Sequence, residues 1–154
     1  MRIAISADPF IPVPPENYGG IERIIGFLAE GLVARGHQVM LAAHETSTVN
    51  VPLIAYESVK EGQSAFIQNA RTVKRLHDWQ PDVIHSFSRL AYLLPLLMRS
   101  IPKIMSYQRE PTLSQIKKAL LVSKKGSLTF TGCSNYISNQ IKSIATARTV
   151  YNGV

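Results

Sequence analysis

Short apolar runs alternate with stretches of helical periodicity along almost the whole 154-residue chain. Continuous apolar runs bounded by turn residues are typical of buried strands, and apolar residues three and four positions apart are typical of helices that cover a sheet. This pattern predicts strands at residues 3–7, 38–43, 51–55, 81–87, 103–107, 127–132 and 148–154, of which the third is the weakest. It predicts helices at residues 21–35, 63–78, 89–99, 112–124 and 134–144. Pro95 should kink or shorten the third of these helices.

Regular strand–helix alternation predicts an α/β fold built on a doubly wound parallel sheet. The length is that of one domain, and no internal repeat or linker interrupts the pattern. In open sheets of this kind, ligands bind beyond the carboxyl ends of the strands. The residues expected at that edge are Asp8, Ser86, Phe87, Gln108, Arg109, Glu110, Cys133, Ser134 and Asn152.

A glycine pair, Gly19–Gly20, follows a proline-rich loop and leads directly into the first predicted helix. The loop, residues 8–18, is longer than most strand–helix connections, and long, stiff loops at a sheet edge usually serve binding. A helix N-terminus offers free N–H groups and partial positive charge, so residues without side chains there let an anion such as a phosphate approach. The alternative is that the pair only makes the turn, because the sequence is neither G-x-G-x-x-G nor a P-loop.

The composition favours an anionic partner and a reducing compartment. The formal net charge is +7 and the isoelectric point is about 9.8, as expected for a protein that meets phosphates, nucleic acid or an acidic membrane. A single cysteine, Cys133, favours the cytosol. No apolar window is long enough for a membrane span, and we expect no signal peptide because the chain begins with a strand pattern.

Four motifs, in order and spacing, resemble the N-terminal domain of family 4 (group 1) retaining glycosyltransferases. They are YGGIERIIGFLAEGLVARGHQVMLAA (18–43), PDVIHSF (81–87), CSNYISNQI (133–141) and VYNGV (150–154). The resemblance implies a GT-B fold, in which two Rossmann-like domains face each other across a cleft. It also implies that residues 1–154 are the acceptor-binding domain, and that the C-terminal, donor-binding domain is absent from this chain.

The resemblance implies a metal-independent enzyme that uses a sugar nucleotide as co-substrate and needs no cofactor. Gly19 and Gly20 would approach the donor diphosphate, and no Asp-x-Asp motif is present. The acceptor would be a glycan, a lipid-linked sugar or a small molecule. The 154 residues alone should not transfer sugar, because most donor contacts belong to the other domain.

The resemblance leaves the reacting groups open. Where many members carry a histidine after the fifth strand, this sequence has Gln108, and Phe87 replaces a second histidine. The catalytic candidates are Gln108, Glu110 and His85. Glu110 could instead form a surface ion pair with Arg109 or a lysine, and His85 could be a structural histidine. The candidates for acceptor binding are Tyr18, Arg23, Arg109, Ser134 and Asn152.

Other functions remain as alternatives: a sugar-nucleotide epimerase domain of the GT-B type, or a non-catalytic anion-binding domain. Nucleic acid is not expected, because no recognition helix or aromatic RNA-binding pattern is present. Residues 89–100 and 115–125 combine lysines and arginines with apolar residues. They suggest peripheral contact with a membrane, unless the apolar residues face the core.

Overall fold

The computed structural model describes residues 1–56 and 64–153. Its strands form a seven-stranded, all-parallel sheet in the order β3-β2-β1-β4-β5-β6-β7. The strands are β1 (Arg2–Ser6), β2 (Gln38–Ala43), β3 (Leu53–Ala55), β4 (Val83–Ser86), β5 (Lys103–Tyr107), β6 (Leu128–Gly132) and β7 (Ala147–Thr149). The predicted fold class and strand number are confirmed.

Helices cover the two faces of this sheet unequally. The α-helices are α1 (Gly20–Ala34), α2 (Ala65–Asp78), α3 (Leu113–Val122) and α4 (Asn135–Lys142). On the first face, α1 buries Ile25 and Ala29 against Ile3 and Ile5 of β1. The other helices pack on the second face, where Ile84 and Phe130 belong to the larger core.

The helix predicted at residues 89–99 is a 3₁₀ helix over Leu90–Leu96. Pro95 lies inside it, has no N–H to donate and prevents a regular α-helix, as the sequence indicated. The prediction for the second helix began at residue 63, which lies outside the described residues.

The prediction that the last strand runs over residues 148–154 was wrong. The strand covers Ala147–Thr149 and ends because its neighbour β6 ends at Gly132. After the bond from Val150 N–H to the Gly132 carbonyl (3.0 Å), no partner strand continues. Residues 150–153 are therefore free to lie across the edge of the sheet.

Gly36 ends α1. Its φ of 81° is in the left-handed region that favours glycine. Gly36 N–H donates to the Val33 carbonyl (2.9 Å), and His37 N–H donates to the Leu32 carbonyl (3.1 Å). This Schellman motif turns the chain from α1 into β2.

Candidate functional site

A cavity of about 330 Å³, here called the rim pocket, lies at the carboxyl ends of β1, β4 and β5. Topology brings these ends together because β1 and β4 are neighbours, and so are β4 and β5. The polar residues that line the pocket are Asp8, Ser88, Arg89, Ser106, Tyr107, Gln108, Arg109, Glu110 and Thr112. Three of the predicted site residues, Gln108, Arg109 and Glu110, therefore share one cavity.

Gln108 is held by the last described residues of the chain. Asn152 Nδ2 donates to Gln108 Oε1 at 2.9 Å in the amide orientation assigned to the two side chains. With Oε1 occupied, the Nε2 amino group is left to donate to a ligand oxygen. Asn152, predicted as an acceptor-binding residue, positions Gln108 here.

Glu110 accepts a hydrogen bond from the hydroxyl of Tyr136 on α4 at 2.5 Å. The hydrogen bond and the negative charge of this carboxylate raise the pKa of Tyr136. Tyr136 thus links α4 to the loop that carries Arg109 and Glu110. This contact leaves the second carboxylate oxygen of Glu110 available to a ligand.

Arg89 and Ser88 also line the rim pocket, and sequence reasoning did not select them. Arg89 Cζ lies 6.0 Å from the ring centroid of Phe10, which belongs to the loop after β1. Their positions just after β4, at the edge already predicted to bind ligands, were the signal that could have identified them.

His85 lies outside the rim pocket and faces the first side of the sheet. Its Nε2 is 2.6 Å from Ser106 Oγ, which is 2.6 Å from Thr131 Oγ1, so three adjacent strands share one polar row. The His85 and Phe87 ring centroids are 4.4 Å apart. Burial lowers the pKa of His85 to about 4, so the imidazole is neutral at pH 7. These contacts favour the structural interpretation of this histidine.

A second, larger cavity of about 660 Å³ lies beside this polar row on the first face of the sheet. We call it the sheet groove. One wall is α1, the floor is β4, β5 and β6, and residues 150–153 form the other wall. Its apolar lining includes Ile24, Phe27, Leu28, Ile104 and Val150.

Gly19 and Gly20 lack side chains for different reasons. A Cβ on Gly19 would lie 2.7 Å from Pro15 Cβ and 2.9 Å from Glu22 Oε2, so packing requires glycine there. A Cβ on Gly20 would meet nothing within 4 Å. Turn packing therefore accounts for Gly19, whereas Gly20, the first residue of α1, leaves open space at the helix N-terminus.

The remaining predicted residues do not line the rim pocket. Tyr18 is 94% exposed beside the α1 N-terminus, and Arg23 is exposed in the first turn of α1. Ser134, a predicted acceptor-binding residue, is the N-cap of α4: its Oγ accepts a hydrogen bond from Ile137 N–H at 3.3 Å. Cys133 is a free, half-buried thiol packed against the core.

Across residues 1–56 and 64–153, no group of three or more His, Cys, Asp or Glu side chains is arranged to hold a metal ion. Within the same residues, none of the helices has the length and apolar character needed to cross a membrane.

Comparison with known proteins gives a family and several structural likenesses. The model of Glycosyltransferase Family 4 matches residues 18–154. A glycosyltransferase from Rickettsia africae ESF-5 is similar in structure, with a TM-score of 0.70 and 17% identity over 99% of this chain and 43% of that one. AviGT4, a glycosyltransferase involved in avilamycin A biosynthesis, gives a TM-score of 0.60 with 20% identity, covering 99% and 42% of the two chains.

MurG from Acinetobacter baumannii gives a TM-score of 0.54 with 14% identity, covering 88% of this chain and 42% of MurG. These likenesses agree with the predicted Rossmann-like fold of the GT-B kind. The chain spans less than half the length of these solved proteins. A search of curated proteins finds no match.

Proposed function

We propose, on the premise that this chain belongs to glycosyltransferase family 4, that it is the acceptor-binding half of a retaining transferase. The enzyme would move a sugar from a sugar nucleotide to a glycan, a lipid-linked sugar or a small molecule. The observation that carries the proposal is the rim pocket beside an unobstructed helix N-terminus. The pocket suits hydroxyl groups, and the N-terminus suits a phosphate.

The rim pocket has the polar groups that an acceptor sugar needs. Gln108 presents an amino group, Glu110 a carboxylate and Arg109 a guanidinium, and all three line one cavity. Glu110 would orient the attacking hydroxyl, while Gln108 would bind a neighbouring oxygen. Histidines in this pocket would favour the epimerase alternative. None is among the described residues that line it, so that alternative gains no support.

Gly20 is the proposed point of approach for the donor diphosphate. Nothing within 4 Å would meet a side chain at this position, and the N–H groups of the first turn of α1 have no carbonyl partner inside the helix. Together with the helix dipole they would stabilise the leaving diphosphate without a metal ion. Arg23, one turn further on, could add a positive charge.

The sheet groove supports the idea of a further domain. Parallel sheets are found almost only with both faces covered, yet α1 is the one helix on the first face in the described residues. The solved relatives are more than twice as long as this chain. We therefore assign the groove to packing against the remainder of the enzyme, and the donor site to that remainder.

The test compares the 154-residue chain with a longer polypeptide encoded by the same gene. The longer protein should transfer sugar, with activity unchanged by EDTA, and proton NMR of the product should show the anomeric configuration of the donor. The 154-residue chain should be inactive and bind sugar nucleotides no better than roughly millimolar, about 4 kcal/mol. An inverted product, or micromolar donor binding by the 154-residue chain, would contradict the proposal.

A further inference from the structure

Charge is distributed very unevenly along this chain. Residues 83–154 contain ten lysines and arginines but a single acidic residue, Glu110. Residues 1–82 contain seven basic and nine acidic residues. The excess positive charge therefore belongs to the half of the sheet built from β4 to β7 and its helices.

Four large apolar side chains are exposed on residues 89–100 and 115–125 of this basic half. Met98 is 78% exposed and Leu121 is 86% exposed, and Leu94 and Val122 are about half exposed. The two segments adjoin, because Lys124 N–H donates to the Leu97 carbonyl at 2.8 Å. The sequence left open whether these apolar residues face the core, and these four do not.

The same two segments carry exposed basic side chains. Lys117 and Lys118 lie one helical turn before Leu121, on the same side of α3, and both are exposed. The other exposed basic residues of this surface are Arg99, Lys124 and Lys125. We call the whole set the basic apolar surface.

This surface and the rim pocket have no residue in common. The pocket lies at the carboxyl ends of the strands, whereas α3 runs from there back toward the start of β6. Met98 precedes β5, so it too lies toward the amino ends of the strands. Occupation of this surface would leave the pocket open.

We propose that the basic apolar surface docks on an anionic lipid bilayer. Exposed apolar side chains that share two adjoining segments with lysines match the interface of such a bilayer, where the apolar groups enter the acyl boundary and the ammonium groups meet headgroup phosphates. Nucleic acid would use the same lysines but gives no reason to expose Met98 and Leu121. The charge complementarity and the apolar centre together favour the bilayer.

Co-sedimentation of the 154-residue chain with vesicles tests the proposal. Vesicles with about 30 mol% phosphatidylglycerol in phosphatidylcholine should bind the protein, and pure phosphatidylcholine should bind it at least about tenfold less. Raising the salt from about 0.1 M to about 0.5 M should weaken the binding strongly.

Two double variants separate the charge from the apolar contribution. Lys117→Gln with Lys118→Gln, and Met98→Gln with Leu121→Gln, should each lower the partition coefficient by about tenfold or more. The matched controls on other surfaces are Arg71→Gln with Lys74→Gln, and Val33→Gln with Ile67→Gln, whose residues are also exposed. They should bind like the wild type, with folding checked by circular dichroism.

Either of two results would overturn the proposal. One is equal binding to anionic and neutral vesicles, or binding that neither surface variant weakens. The other is binding that depends on the lysines but not on Met98 and Leu121, accompanied by equally tight binding to a single-stranded RNA. That outcome would identify a general polyanion surface.

Discussion

Asn152 Nδ2 donates to Gln108 Oε1 across 2.9 Å, which joins two residues 44 positions apart at the edge of the sheet. In the amide orientation assigned to this pair, the amino group of Gln108 is left for a ligand. The bond also connects residues 150–153, which line the sheet groove, to the rim pocket, since Gln108 lines both cavities.

Gln108→Glu should lower turnover of the longer transferase by about 10- to 100-fold, or about 1.4–2.7 kcal/mol. The carboxylate can still accept from Asn152, but it offers no N–H to the acceptor. The free energy of unfolding should change little. Steady-state kinetics against Gln115→Glu, which adds the same charge at an exposed position of α3, checks this. Equal turnover in the two variants would show that Gln108 does not bind the acceptor.

His85 should make stability depend on pH. Its pKa is about 4 in the folded protein and about 6.5 in the unfolded chain. Between these values the unfolded chain binds a proton that the folded protein does not. Stability should therefore be complete above pH 6.5 and should fall by up to about 3 kcal/mol as the pH decreases toward 4.

Urea unfolding between pH 4 and 7 measures this dependence. His85→Gln retains a hydrogen-bonding partner for Ser106 but does not titrate, so its stability should fall less steeply as the pH decreases. Identical pH profiles for the two proteins would show that His85 is not buried as described.

Lys103 should stabilise the loop before β5. Its side chain is fully buried, and Nζ donates to the Arg99 carbonyl at 2.7 Å and the Ile101 carbonyl at 2.8 Å. Lys103→Met leaves both carbonyls without this donor, and the free energy of unfolding at pH 7 should fall by about 1–3 kcal/mol.

The pH dependence gives a second measurement on Lys103. Burial lowers its pKa to about 8 from 10.5, so the unfolded chain binds more protons between these values. Wild-type stability should therefore rise relative to Lys103→Met as the pH increases from 8 toward 10.5. A variant as stable as the wild type, with the same pH slope, would contradict the described role of these hydrogen bonds.

Strand–helix alternation was sufficient to predict the sheet and the cavity-lining positions Gln108, Arg109 and Glu110. Parallel topology places the carboxyl ends of strands at one edge whatever the details of packing. The length of the last strand was mispredicted because it depends on where its neighbour β6 ends, and local propensity carries no information on that.

Contacts between distant segments could not be predicted from the sequence. The sequence presents Gly19 and Gly20 as an equivalent pair, and the distance to Pro15 distinguishes them. Similarly, the partner of Glu110 is Tyr136 on a different element, although an arginine precedes Glu110 directly in the sequence. Side chains that meet across elements depend on backbone paths that no short motif specifies.

Gly19→Ala and Gly20→Val should differ in their effect on the stability of the proposed longer transferase. A methyl group on Gly19 would overlap Pro15, so Gly19→Ala should lower the thermal stability of the protein. Gly20 begins α1 in open space, and valine has a higher helix propensity than glycine. Gly20→Val should therefore fold with stability close to that of the wild type.

The direct test of the donor approach is turnover per folded molecule of Gly20→Val, with folding checked by circular dichroism on the same sample. A valine side chain would occupy the space through which the diphosphate reaches the α1 N-terminus. The account predicts a fall of about 100-fold, or about 2.7 kcal/mol, as for the loss of one oxyanion contact, with the Michaelis constant for the acceptor little changed. Near-normal turnover by the folded variant would contradict the phosphate role of Gly20.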